Sequence, residues 1–94
     1  MNGLGFELRF LEDETMRIEV THADMTNGLR MNCTECPVSL ALIRAGFVEP
    51  RATRNHVVHR VDGRWKETQF PDSVGEFILA YDMGAWAEPF SFEL

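Results

Sequence analysis

The feature that most constrains the fold is a short apolar helix that begins at Pro37 and ends before Gly46. Proline suits the first helical position, because its missing N–H would have no helical partner there. Glycine suits the position just after a helix, where the backbone commonly has a positive φ. Between them only Ser39 and Arg44 are polar. A helix that is apolar on nearly every side is expected to lie at the centre of its domain.

Two stretches that precede this helix have the period-two alternation of half-buried strands. They cover residues 4–11 and 16–20, and the acidic link at 12–15 is short enough for a hairpin. Met16 is an alternative start of the chain. In that case residues 1–15 are an N-terminal extension that adds an extra strand.

The segments on either side of the central helix follow from shorter signals. Thr21 and Asp24 have the spacing of a capping box, which predicts a short helix over residues 22–27. After the central helix, residues 46–55 are predicted to form a loop. Within this loop, Phe47–Val48 either form a short strand or fill the core.

The clearest hairpin of the sequence joins residues 56–61 to residues 64–70. Asp62-Gly63 lies between two strand-like runs, which is the signal of a type I′ turn. Alternation places Val57, His59 and Val61 on one face of the first strand, and His56, Val58 and Arg60 on the other.

The C-terminal part of the chain predicts one helix and one strand. Ser73 and Glu76 have capping-box spacing, and apolar residues at helical intervals follow them over residues 74–82. Gly84 is predicted to end the helix. Residues 90–94 alternate again, as expected for a last strand.

The predicted order is therefore β-β-α-α-β-β-α-β, which indicates an α+β fold. We expect a small, mostly antiparallel sheet with the helices packed on one face. The chain of 94 residues is interpreted as one domain. It contains neither an apolar run near the ~18 residues of a membrane span nor a secretion signal, so a cytoplasmic location is expected.

Three motifs of this chain, all structural in kind, resemble those of a known group of proteins. They are Cys36-Pro37-Val38-x-Leu40-Ala41-Leu42, Phe77-Ile78-x-x-Tyr81-Asp82-x-Gly84 and the terminal Pro89-Phe90-Ser91-Phe92-Glu93-Leu94. Together they resemble small uncharacterised bacteriophage and prophage proteins of the actinobacteriophage type. The resemblance covers about residues 16–94. It implies a phage accessory protein and no particular activity.

The charge distribution predicts a binding surface. The net charge is −6, which argues against general nucleic-acid binding. Residues 51–66 nevertheless carry five basic side chains against one acidic one, a local net charge of +4 that leaves −10 on the remainder. The simpler interpretation is a solvated strand pair, and the sharper one is a site for an anionic partner. The candidate binding residues are Arg54, Arg60, Arg64 and Trp65.

The two cysteines, Cys33 and Cys36, allow three interpretations. A thiolate at a helix N-terminus is stabilised for redox chemistry, although Pro37 removes one N–H that would support it. Alternatively, the pair is half of a zinc site. His56 and His59 are the candidates for the other ligands, with His22 as a distant third. The sequence favours the simplest interpretation, a buried Cys36 and a more exposed Cys33 with no metal and no cofactor.

These observations favour a non-enzymatic protein that binds a host or phage macromolecule, because no set of catalytic residues stands at a recognisable spacing. One alternative is a binder of an anionic, nucleotide-like small molecule, and another is a zinc- or thiol-dependent module using the two cysteines. The aromatic residues Trp86, Phe90 and Phe92 around the last strand predict a homodimer interface.

Overall fold

The computed structural model describes residues 15–94, and it has the predicted α+β class. The elements in chain order are β1 (Arg17–Val20), α1 (His22–Asn27), α2 (Pro37–Arg44), β2 (Val48–Ala52), β3 (His56–Val61), β4 (Arg64–Gln69), α3 (Asp72–Asp82) and β5 (Phe90–Glu93). The strand predicted over residues 4–11 lies outside the described residues. The later predicted elements follow in the predicted order, and β2 is added to them.

All strand pairs are antiparallel and belong to two small sheets. One sheet joins β1 to β5, so that residues close to the two ends of the described chain are paired, with Arg17 opposite Glu93. The other sheet has the order β2-β3-β4, so β3 is central and the other two strands lie at its edges. In this sheet Arg60 is opposite Trp65, and Val61 is opposite Arg64.

The ends of the first two helices have the predicted local chemistry. The capping box of α1 is present, since Asp24 N–H donates to Oγ1 of Thr21 at 3.2 Å and Thr21 N–H donates to Oδ2 of Asp24 at 2.9 Å. Helix α2 has Pro37 at its first position. It is followed by Gly46 with a φ of 105°, a conformation that residues with a Cβ rarely adopt.

The predicted start of α3 was wrong. The helix begins at Asp72, two residues early, and Pro71 occupies the N-cap position without a side-chain hydrogen bond. The capping box expected from Ser73 and Glu76 is therefore not the one that starts the helix. Instead, the fixed φ of Pro71 sets the entry of the chain, and Val74 N–H donates to the Pro71 carbonyl at 3.0 Å.

The loop predicted over residues 46–55 was also wrong in part, because β2 occupies its middle. The alternation of this strand is broken by an irregularity in the pairing between Val48 and Arg51, within which Glu49 has a φ of 52°. A bulge on an edge strand accommodates Pro50, since the missing N–H removes no central ladder hydrogen bond. Phe47 both precedes the strand and packs against the core.

The hairpin between β3 and β4 has the predicted turn. Asp62 and Gly63 have φ angles of 53° and 79°, and a positive φ at both central residues is the signature of type I′. This turn suits the right-handed twist of the strands and holds β3 and β4 in uninterrupted register from His56 to Gln69.

Helix α2 lies at the centre and contacts β1, α1 and β2. The buried apolar residues around it come from every region of the described chain, and they are Ile18, Val20, Cys36, Val38, Ala41, Leu42, Ala52, Val57, Phe70, Val74, Phe77, Ile78, Tyr81 and Phe92. The apolar Ile43 is exposed, whereas the polar Ser39 is buried and donates to the Cys33 carbonyl at 2.6 Å. Within residues 15–94, none of the helices has both the length and the apolar character needed to cross a lipid bilayer.

Candidate functional site

The exposed side of the β2-β3-β4 sheet combines cationic and aromatic side chains. Its members, called here the outer sheet face, are Arg51, Val58, Arg60, Trp65 and Glu67. They share one side because Val58 is opposite both Arg51 and Glu67, and Arg60 is opposite Trp65. The other side of the sheet is turned towards the core at Ala52, Val57 and His59, whereas Arg64 and Lys66 of β4 are exposed on that side.

Trp65 is the centre of the outer sheet face. The residue is 43% exposed, and two guanidinium groups lie over its indole ring. The Cζ atom of Arg51 is 4.8 Å from the ring centroid, and that of Arg60 is 4.5 Å away. Each contact is a cation–π interaction, worth about 0.5–1 kcal/mol at an exposed site. The stack therefore holds three side chains from three strands in a defined arrangement at the surface.

Arg60 is oriented by two further contacts. Its Nε donates to Oε1 of Glu49 at 3.0 Å, and one terminal nitrogen donates to the Gly63 carbonyl of the turn at 3.0 Å. The bulge of β2 carries the Glu49 partner. Of the five basic residues between positions 51 and 66, Arg60 is the one with a carboxylate within 4 Å among the described residues. The other four cations keep their charge uncompensated by this part of the chain.

The four residues predicted as a binding site do not meet in one place. Arg60 and Trp65 are in contact, as described above. Arg64 lies opposite Val61 in the ladder, and alternation turns it to the other side of the sheet from Trp65. Arg54 lies in the turn between β2 and β3, at the end of the sheet far from the Asp62-Gly63 turn.

Arg51 takes the place that was predicted for Arg54 and Arg64 beside Trp65. Sequence reasoning missed this residue because the stretch around Pro50 was interpreted as a loop, and a loop residue has no register. No local signal of the sequence distinguishes Arg51 from the other basic residues. For Arg64 a signal was present, since the period-two alternation already separates it from Trp65.

Arg54 lines a surface cavity of about 190 Å³ together with both cysteines and Asp82. Cys36 is buried at the N-cap of α2, and its Sγ lies 3.7 Å from Oγ of Ser39. Cys33 is exposed. Cys36 makes no side-chain cap hydrogen bond, and its burial beside an exposed Cys33 is the arrangement that the simplest interpretation of the motif predicted.

The histidines predicted as companion ligands lie on opposite sides of β3. His59 is buried, with its ring centroid 4.7 Å from that of Phe47 and its Nε2 atom 3.2 Å from Oγ1 of Thr68. Burial, and secondly the charge of Lys66, lower the pKa of His59 below its ordinary value of 6.5. His56 is on the outer side. Among the described residues, no three His, Cys, Asp or Glu side chains converge as a metal site would require.

The three aromatic residues predicted as an interface differ in exposure. Phe92 is 5% exposed and belongs to the core. Phe90 is half-buried, with its ring centroid 4.7 Å from that of Phe77. Trp86 is 83% exposed. Of these three, Trp86 is therefore the one whose ring is available to a partner as the chain stands.

Comparison of the chain with protein-family models, with curated proteins and with solved structures finds no match. The chemistry of the outer sheet face follows from its side chains. Guanidinium groups donate paired hydrogen bonds to carboxylates or phosphates, and an indole supplies a large apolar contact area. This combination is suited to recognition of an anionic group that is flanked by apolar surface.

Proposed function

We propose that this protein is a non-enzymatic binding protein that recognises an acidic surface of a host or phage protein through its outer sheet face. The observation that carries the proposal is the stack of Arg51 and Arg60 over the ring of the exposed residue Trp65. Tryptophan and arginine are among the residue types most enriched where binding energy is concentrated in protein interfaces. A stack that is already ordered also loses less side-chain freedom when a partner binds.

The uneven charge supports an acidic protein partner over a nucleic acid. The net charge is +4 over residues 51–66 and −10 over the remainder. An extended polyanion would meet the negative remainder, whereas a compact acidic patch would meet the basic segment alone. Such complementarity raises association rates and specificity, and salt screens it over about 8 Å at physiological ionic strength.

The proposal extends to the cellular role of the protein and to its oligomeric state. The resemblance to phage and prophage proteins supports an accessory role in the cytoplasm of a host cell. We further propose that the protein is a homodimer and that Trp86 lies in the interface between its two copies. An exposed indole of this kind is a common anchor of protein interfaces.

The proposal is tested by capture from a host lysate with two matched baits. The first bait carries Arg51→Ala with Trp65→Ala. The control bait carries Arg17→Ala with Met83→Ala, which removes an exposed arginine and an exposed apolar side chain away from the outer sheet face. Circular dichroism verifies that both baits are folded. Each protein captured by the wild type is identified, purified and titrated against all three forms in low and moderate salt.

We expect an acidic partner that binds the wild type and the control equally, that loses affinity for the first bait, and that binds less tightly in moderate salt. Equal affinity for the wild type and the first bait in low salt would refute the role of the outer sheet face.

A further inference from the structure

Strand β4 has one open edge in the described part of the chain. In the order β2-β3-β4 its one neighbour among residues 15–94 is β3. Successive residues of an antiparallel strand direct their N–H and C=O groups alternately towards one neighbour and the other. About half of the backbone polar groups of β4 therefore face away from β3. Five of its six residues are exposed, so neither face of the strand is deeply covered.

The side chains along this edge alternate in chemistry as well as direction. Arg64 and Lys66 project to one side of the sheet, and Trp65 projects to the other between them. Basic residues on an edge strand oppose pairing with a second copy of the same strand, because like charges would then face each other. The same residues favour an added strand that carries acidic side chains.

We propose that an extended acidic segment of a protein partner adds to the open edge of β4 as a fourth strand. Its acidic residues lie opposite Arg64 and Lys66, and an apolar residue lies opposite Trp65. This inference rests on the proposed function, because it gives the same acidic partner a second contact, at the edge of β4 beside the outer sheet face. In strand addition the backbone hydrogen bonds supply affinity, and alternate side chains supply specificity.

The spacing of adjacent strands brings the side chains of an added strand into contact with those of β4. Directly opposite residues on adjacent antiparallel strands have Cβ atoms about 4.5–5.5 Å apart, which is close enough for ion pairs and for apolar contact with an indole. The partner segment is therefore predicted to alternate acidic and apolar residues with period two. Its apolar side chains face the outer sheet face, and its carboxylates face the other side.

The test uses four synthetic peptides of eight residues and the full chain. The first peptide alternates Glu with Val, and the second replaces each Glu with Lys. The third and fourth are the first peptide with N-methyl groups on one or the other set of alternate backbone nitrogens. Two methylation patterns are made, so that each of the two edges of the peptide is blocked in turn. Binding is followed by the amide chemical shifts of the ¹⁵N-labelled protein and by isothermal titration calorimetry.

We expect the Glu-Val peptide to bind in low salt and to shift the backbone amides of residues 64–69. We expect the Lys-Val peptide not to bind, and one of the two methylation patterns to abolish binding while the other preserves it. Arg64→Glu with Lys66→Glu should weaken binding about tenfold, or ~1.4 kcal/mol. The charge-matched control, Arg17→Glu with Arg54→Glu, lies away from this stretch of β4 and should weaken binding far less.

Two results would overturn the inference: absence of binding by the Glu-Val peptide, or equal binding by the peptide and both of its methylated forms. In the second case, loss of binding by Arg51→Ala with Trp65→Ala would retain the outer sheet face as the site and exclude strand addition. Conversely, peptide binding could depend on the methylation pattern and be unchanged in Arg51→Ala with Trp65→Ala. This result would support strand addition at the edge of β4 and refute the outer sheet face as the binding site.

Discussion

Replacement of Arg44 by methionine should destabilise the protein, because Arg44 compensates a buried carboxylate. The Asp24 side chain is 5% exposed, and its two oxygens accept hydrogen bonds from the guanidinium of Arg44 at 2.7 and 2.8 Å. Another hydrogen bond of Arg44 reaches the Glu19 carbonyl at 2.7 Å. One side chain of α2 therefore ties together the end of β1 and the start of α1.

The magnitude follows from the unequal exposure of the two partners. Loss of one partner from a fully buried ion pair costs about 3–5 kcal/mol. The Arg44 side chain is 51% exposed, so solvent already screens part of this interaction. Asp24 also keeps the hydrogen bond from the Thr21 N–H. We therefore expect a loss of about 1–3 kcal/mol, the usual cost of leaving a buried acceptor partly unsatisfied.

Urea denaturation followed by far-ultraviolet circular dichroism measures this loss. The control is Arg17→Met, since Arg17 makes an exposed ion pair with Glu19 at 3.4 Å and should contribute less than about 1 kcal/mol. The double variant Arg44→Met with Asp24→Asn should be more stable than the sum of the single changes predicts, because no uncompensated charge remains. The reasoning is refuted if Arg44→Met costs no more than Arg17→Met, or if the two changes at the pair are additive.

The same pair predicts a dependence on pH. Burial alone would raise the pKa of Asp24, but the hydrogen bonds from Arg44 and Thr21 outweigh it and lower the pKa below 3.8. The unfolded chain then binds the proton at a higher pH than the folded chain does. The stabilisation is therefore complete above the unfolded pKa and is lost as the pH falls through the folded pKa. Without Arg44 the folded pKa of Asp24 should rise towards or above its unfolded value, so this acid-induced loss should shrink or disappear in Arg44→Met.

Three further predictions concern the core, His59 and self-association. Leu42→Ala and Phe77→Ala should each cost about 2–5 kcal/mol in chemical denaturation, since both side chains are buried, and a loss below ~1 kcal/mol would contradict this. Because burial and Lys66 lower the pKa of His59 below 6.5, its contribution to stability should be complete above pH 6.5 and decline as the pH falls through the folded pKa. His59→Gln should reduce the pH dependence of the unfolding free energy in that range. An unchanged pH dependence would contradict this prediction. Light scattering at micromolar concentration should give twice the 10.8 kDa monomer mass, and Trp86→Ala should return it to the monomer value. A monomer mass for the wild type would exclude the dimer.

The elements that could be predicted are those whose signals are local. The turn between β3 and β4 depends on Asp62 and Gly63 alone, because the required positive φ angles are a property of those residues. The start of α1 depends on Thr21 and Asp24, which satisfy each other's backbone N–H groups within four residues. Such interactions are complete before any distant part of the chain is in place.

The parts of the fold that could not be predicted depend on partners far along the chain. Strand β2 contains Pro50 and a bulge, which weaken the strand pattern, and it exists because β3 offers hydrogen bonds across the sheet. In α2 the apolar Ile43 is exposed and the polar Ser39 is buried, the reverse of what their polarity predicts. Ser39 can be buried because its hydroxyl donates to the carbonyl of Cys33. A buried hydroxyl is tolerated where such an acceptor exists.

The candidate site also has one part that local sequence predicts and another that depends on distant contacts. The sequence by itself determined that basic residues and a tryptophan lie on a hairpin within an otherwise acidic chain. Tertiary structure alone decided that Arg51 joins Trp65 and that Arg54 does not, because β2 had to be paired with β3 before either side chain had a position. Charge and hairpin formation are encoded over a few residues, whereas contact between strands depends on a register that forms only when the whole sheet is assembled.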